Sequence, residues 1–200
     1  MTLQNRVAPD GTIIAHPGRG SFMGNRGILH DDQKNLARAR WRHKAWVTCV
    51  LSFKGRRRTL MQPSHYTELF FLDEAVAFAA GHRPCGECRR AAYNDFRTRL
   101  GITAPIKMFD TVLHAARAVP RAARLRQHRA EIKDLPEGVF ILTDTGQPAL
   151  VRKDHLRPYR DMGYEAPIRR ATSGIVTLLT PPPLVEALRA GYRLSLAVDD

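Results

Sequence analysis

The sequence predicts an α+β protein: β-hairpins interleaved with helices around a candidate zinc site, plus a smaller β-rich C-terminal lobe. Three observations lead there. Short β-branched and aromatic runs such as AWVTCVLSF and GIVTLL are framed by Gly and Pro turn signals, as strands are. Between them lie helical stretches with identifiable caps, among them Asp73 before and Gly81 after residues 74–80. The 200 residues, 44% hydrophobic and 8% aromatic, supply enough apolar material for a packed core and show no internal repeat or low-complexity tract.

Taken in order, residues 1–30 read as Gly-rich and irregular, with Asp10-Gly11 and Pro17-Gly18 turning the chain around the apolar run 12–15. The stretch GRGSFMGNRGILH has glycines whose freed amides could form an anion-binding nest. It matches neither the phosphate loop nor the dinucleotide fingerprint, and so reads as a loop over the core. A helix is expected from His30-Asp31-Asp32, with an Asp as N-cap and Leu36 on its apolar side, running out in the basic ARARWRHK. Residues 45–53 and 57–61 read as a hairpin turned at Lys54-Gly55. Residues 66–72 form the next strand, Asp73 caps a helix over 74–80, and a second helix spans 86–100. After a strand-like 106–109, residues 110–133 read as helical and divided at Pro120. A hairpin joins 139–144 to 148–152, and 155–164 is irregular. A strand at 174–179, a helix at 181–190 and a strand at 192–197 follow. A composition shift near 133–138 divides the chain into a zinc-type module, 1–134, and a β-rich lobe, 135–200, which can share one core.

Charge narrows the function. Thirty-two Lys and Arg against nineteen Asp and Glu give a net charge of +13 and a pI near 10.5, most of it arginine. Guanidinium groups fork onto phosphate and stack on bases, so a nucleic-acid partner is expected, DNA more than RNA. No apolar run approaches the roughly 18–20 residues that a bilayer span needs. The N-terminus lacks the basic start and apolar core of a signal peptide. A cytoplasmic protein without a membrane partner is expected, its oligomeric state open.

Three cysteines, Cys49, Cys85 and Cys88, are too few for a disulfide framework, and Cys85-x-x-Cys88 falls at a turn–helix junction that stabilises thiolates. A tetrahedral zinc wants four ligands, so a Cys₃His site from these three and His82, or alternatively His65, is chemically sound. Unliganded thiols, with Cys49 as a small core residue, and a redox pair are the other readings.

The run FFLDEAVAFAAGHRPCGECRR resembles the second half of the metal-binding domain of the Ada DNA-methylation-repair family. The matching residues are Phe70, Phe71, Glu74, Ala75, Ala80, Gly81, Arg83, Pro84, Cys85, Cys88 and Arg89, with His82 where that family usually has an aromatic residue. The resemblance implies a zinc-bearing, DNA-contacting module with Cys85 and Cys88 as two ligands. In that family an upstream Cys-x-x-x-Cys pair supplies the others, one being a methyl acceptor. Here Phe53 stands four residues after Cys49, so the acceptor chemistry is not implied.

Two functions follow. In the first, a zinc-stabilised nucleic-acid-binding protein linked to DNA repair or processing contacts phosphate through Arg56, Arg57, Arg58, Arg89, Arg90, Arg97 and Arg99, with Trp41, Trp46 or Tyr93 available for stacking. In the second, a metal-dependent nuclease or other phosphoester-acting enzyme uses His30, Asp31 and Asp32 with Asn25 and Arg26.

Overall fold

A computed structural model describes residues 2–56 and 59–198. The chain is mixed α and β, as the sequence predicts, but the strands begin earlier and pair over longer distances than hairpins alone would give. Residues 1–30, expected to be irregular, supply β1 (Gln4–Val7), β2 (Ile13–Ala15) and β3 (Phe22–Asn25). These join β4 (Val47–Cys49), β5 (Leu69–Phe71) and β6 (Arg83–Pro84) in a six-stranded sheet of order β2-β1-β5-β3-β4-β6. β1 pairs β5 and β4 pairs β6 in parallel; the other neighbours are antiparallel.

Helix α1 (Glu74–Ala79) connects β5 to β6, with Asp73 as N-cap accepting from the Val76 amide at 3.0 Å. All six of its residues are buried, the five after Glu74 among apolar groups. Phe78 enters one hydrophobic cluster with Phe96, Leu113, Ile141 and Leu184; Ala75, Val76, Ala77 and Ala79 enter the other, with Val7, Phe71, Phe140 and Leu150. Both clusters therefore draw on residues from either side of position 134. Helices α2 (Arg90–Arg99) and α3 (Ile106–Arg117) follow, and then a small hairpin of β7 (Ala118–Val119) and β8 (Arg124–Leu125).

The second sheet contains β9 (His128–Glu131), β10 (Phe140–Leu142), β11 (Pro148–Val151), β12 (His155–Arg160), β13 (Gly163–Tyr164), β14 (Ile168–Arg169) and β15 (Ile175–Leu178). Its order is β13-β12-β11-β10-β15-β9, with β14 on β12. Helix α4 (Pro182–Arg189) opens on a proline in its first turn, where a missing N–H costs nothing. Among the described residues no helix is long and apolar enough to cross a membrane.

Several expected elements are replaced. The helix from Asp31 does not form: the Asp31 carboxylate captures the amides of Gln33 and Asn35 at 3.0 and 2.8 Å, Lys34 is left-handed, and His30 bridges Leu36. β4 pairs with β3 and β6 instead of a following hairpin arm. Residues 106–109 are the first turn of α3, and 121–131 are not helical, because β9 is recruited by β15; only a short 3₁₀ turn, Ile132–Asp134, touches the end of the expected helix. Residues 155–164 are a strand and a return strand, turned at left-handed Asp161 and Met162 without a glycine at either position. Residues 192–197 form no strand; carboxylates of α1 and its cap take their amides instead.

That last interaction is the main tie across the molecule. Glu74 Oε1 accepts from the Tyr192 hydroxyl at 2.8 Å and pairs with Arg89 at 2.7 Å, while Oε2 accepts from the Ser195 amide at 3.1 Å. Asp73 Oδ2 accepts from the Tyr164 hydroxyl at 2.8 Å and the Ala197 amide at 3.1 Å. Removing one member of a buried pair strands the other charge, so Glu74→Ala is expected to lose about 3–5 kcal/mol of unfolding free energy in urea titration, and Tyr192→Phe distinctly less.

Candidate metal centre

The path to the site is set by a helix end and a parallel strand pair. Gly81 ends α1 at φ +79°, where a Cβ would lie 2.4 Å from Arg117 Cδ, so the chain can turn tightly there only without a side chain. It then runs extended through β6, whose register places Thr48 against Pro84. The Cys85 amide donates to the Thr48 carbonyl at 3.0 Å, which sets Cys85 beside Cys49 of the neighbouring strand. A turn over Cys85, Gly86, Glu87 and Cys88, closed by the Arg89 amide on the Cys85 carbonyl at 3.2 Å, swings Cys88 back before α2 begins. The three sulfur atoms lie within 4.8 Å of one another and are part-exposed.

This group could hold a metal ion. Zinc binds thiolate sulfur at about 2.3 Å, so three corners of its tetrahedron lie roughly 3.8 Å apart. The observed spread needs a closure of an ångström at most. Within the trio the Cys85 thiol is drawn down to about 5, chiefly by the hydrogen bond from Cys49, while that same bond and burial push Cys49 well above the ordinary thiol range. Burial raises Cys88 as well. The Glu87 amide, 3.4 Å from Cys85 Sγ, adds a donor to the anion.

All three cysteines line a cavity of about 510 Å³. Its walls are Met23, Val47, Leu51, Phe53 and Phe70, with Glu68, Glu87 and Arg56 among its polar members. The first sheet thus has two distinct faces. Met23, Cys49 and Phe70 stand in one register row toward the cavity, and Gly24, Thr48 and Leu69 in the next row face the core.

His82 belongs to the core face, which corrects its assignment as fourth ligand. Its ring is fully buried, 4.7 Å from Phe71 and 5.4 Å from Trp46, and its Nε2 accepts from Arg26 Nε at 3.3 Å. Burial and the Arg26 and Arg117 charges lower its pKa well below the usual value, so the ring is neutral. The reason is strand geometry: in an extended run, residues 82 and 85 are an odd number apart and point to opposite faces. Gly24 leaves the room, since a Cβ there would sit 2.8 Å from the Phe71 ring and 3.3 Å from His82. His65 is exposed, bonded through Nδ1 to the Pro63 carbonyl at 2.9 Å, and also outside the group.

The other candidate residues are dispersed. His30 is buried with both ring nitrogens engaged, Nδ1 with Thr67 Oγ1 at 2.6 Å and Nε2 with the Gln62 carbonyl at 3.2 Å. Asp31 closes its own loop, Asp32 is exposed, and neither belongs to a metal-holding group among the described residues. Asn25 Oδ1 accepts from Gly27 N and meets His43 Nε2 at 2.9 Å. Arg57 and Arg58 lie outside the described residues. Arg56 pairs with Glu87 at 3.0 Å in an exposed bridge. Arg89 lies over the Phe22 ring and pairs with Glu74, so it is a structural cation. Arg97 donates to the carbonyls of Ile102, Thr103 and Ala104, and Arg99 to Asp95 and the Ala190 carbonyl. Arg90 is exposed.

Sequence reasoning missed one group entirely. Trp46 is fully buried, with the guanidinium groups of Arg26 and Arg117 lying 4.5 and 3.9 Å from its ring centroid. Three positions so far apart in sequence carry no local signal of their meeting; Gly81, which must be small for Arg117 to pass, is the nearest to one.

No protein-family model, curated protein or solved structure matches this chain, so the site stands on its own geometry. Elemental analysis of protein purified without added metal is expected to find about one metal ion per chain, lost in Cys85→Ser and in Cys49→Ser and kept in His65→Ala.

Proposed function

We propose that the chain is a zinc-bearing nucleic-acid-binding protein of the cytoplasm, with DNA as the favoured partner. Cys49, Cys85 and Cys88 would hold the ion, leaving its fourth position to a ligand from the cavity. The observation that carries this reading is the convergence of three thiols on one cavity wall. A zinc with three protein ligands and an exchangeable fourth supplies Lewis acidity as well as a crosslink. Affinity for nucleic acid is supported by the +13 charge and by the resemblance of residues 69–96 to the Ada metal-binding domain.

The cations available for phosphate only partly overlap those expected from the sequence. Arg90 is exposed beside the cysteine turn, and Arg38, Arg42 and Lys44 are exposed on the loop that replaces the expected helix. A nuclease built on His30–Asp32 is less favoured, because that region's side chains are committed to holding loops.

Fluorescence anisotropy with a labelled duplex tests the proposal. Binding is expected at low salt, weakening linearly in log K against log salt. Arg38→Glu with Arg42→Glu should weaken it several-fold, and Arg97→Ala should not. Absence of binding at low salt would overturn the reading. Cleavage with Mg²⁺ or Mn²⁺, abolished by Asp31→Asn, would replace it with the nuclease.

A further inference from the structure

A second cavity, of about 290 Å³, shares no residue with the cysteine pocket. It lies where the β1–β2 turn, the loop around Arg40 and the β7–β8 hairpin meet. Asp10, Arg26, Arg40, Trp41, Arg124 and Gln127 line it. Three of these are arginines and one is a carboxylate, an excess of positive charge concentrated at a concave site. The volume is at the lower edge of ligand pockets and suits a small charged group better than a whole cofactor.

Arg26 is the unusual member. It is fully buried, and its guanidinium is only partly satisfied. Nε reaches His82 at 3.3 Å and Nη1 donates to the Gly11 carbonyl at 3.2 Å, both neutral acceptors, while Nη2 has no hydrogen-bond partner among the described residues. A buried cationic donor without a partner is costly, and its natural complement is an anion. Burial lowers the Arg26 pKa to about 9, with Asp10 opposing and Arg40 adding to the effect, so the group stays cationic at neutral pH. Asp10 is the built-in competitor, yet its Oδ1 is occupied by the amide and hydroxyl of Thr12 at 2.9 and 2.7 Å.

We infer that this cavity binds a phosphoryl group, held by Arg26 from within and by Arg40 and Arg124 from the rim. Planar guanidinium forks match the paired oxygens of a phosphate bidentately, and its double charge answers the excess of three cations over one carboxylate. Trp41 places an aromatic ring in the same wall, against which the sugar or base carrying that phosphate can rest. The site is defined for the phosphoryl group whatever bears it, so it goes beyond the nucleic-acid reading and can stand if that reading fails.

Titration of the full, metal-loaded protein, read by tryptophan fluorescence and calorimetry, tests it with four probes: inorganic phosphate, a nucleoside 5′-monophosphate, and one oligonucleotide with and without a 5′-phosphate. Saturable binding of the phosphate-bearing probes is expected. Arg124→Ala and Arg40→Ala should each weaken it at least tenfold with metal content unchanged, and Asp10→Asn should tighten it several-fold by removing the competing charge. A gain from the 5′-phosphate that Arg124→Ala abolishes identifies a nucleic-acid end as the source. Binding confined to phosphate and the monophosphate identifies a small phosphomonoester. No saturable binding of any probe, or binding unchanged in the Arg40→Ala/Arg124→Ala double variant, overturns the site. Loss of general duplex binding with phosphate binding intact would overturn the nucleic-acid reading alone.

Discussion

Two adjacent buried carboxylates at the start of one short helix hold this molecule together. Asp73 and Glu74 begin α1, and between them they bind Arg89 just after the cysteine turn, Tyr164 of the second sheet, and the segment from Tyr192 to Ala197. Burial pushes the Asp73 pKa upward, and the hydrogen bonds it accepts work against that. A carboxylate in such a place is tolerable only if every acceptor is used, and here the acceptors reach three separate parts of the chain. The cysteine turn, the second sheet and the tail are consequently positioned relative to one helix end rather than independently. Arg83 and Asp110, joined by two bonds of 2.7 Å, add a second buried fork between β6 and α3.

What the sequence made legible was local. Asp73 and Gly81 bracket α1 because capping chemistry lies in the residues themselves, and the proline run before Leu184 and the Thr145-Gly146-Gln147 turn are readable for the same reason. The three cysteines were legible as a set, because few side chains share their chemistry. What failed depended on remote partners. Residues 121–133 have helical composition, yet β15 needed an edge and took β9. Residues 192–197 have strand composition, yet the carboxylates of α1 claimed their amides. His82 was near Cys85 in sequence but across the sheet from it in space, a distinction that requires knowing that the segment is extended.

Arginine composition is a poor map of the cations left at the surface. Arg89 answers Glu74, Arg83 answers Asp110, Arg97 caps a run of carbonyls, and Arg26 and Arg117 pack on Trp46. Guanidinium groups can do this because they are flat, weakly hydrated and rich in donors, so they enter interiors where lysine would not. The chain therefore uses several of its arginines as internal framework, and these do not contribute to the surface as the composition alone would suggest.

β6 is two residues long and closes one side of the first sheet, hydrogen-bonded in the strand order to β4 alone. An unpaired margin invites strands from other chains, and here it is covered: both β6 residues are buried, with Arg83 forked onto Asp110 of α3. Cys49 sits on the inner of these two strands, and Cys85 and Cys88 sit just beyond the outer one. An ion held by all three would add a cross-link beside this margin, between residues separated by the whole of 50–84. Exposing this margin to another chain would mean parting that fork, and an ion at the cysteines would resist the parting.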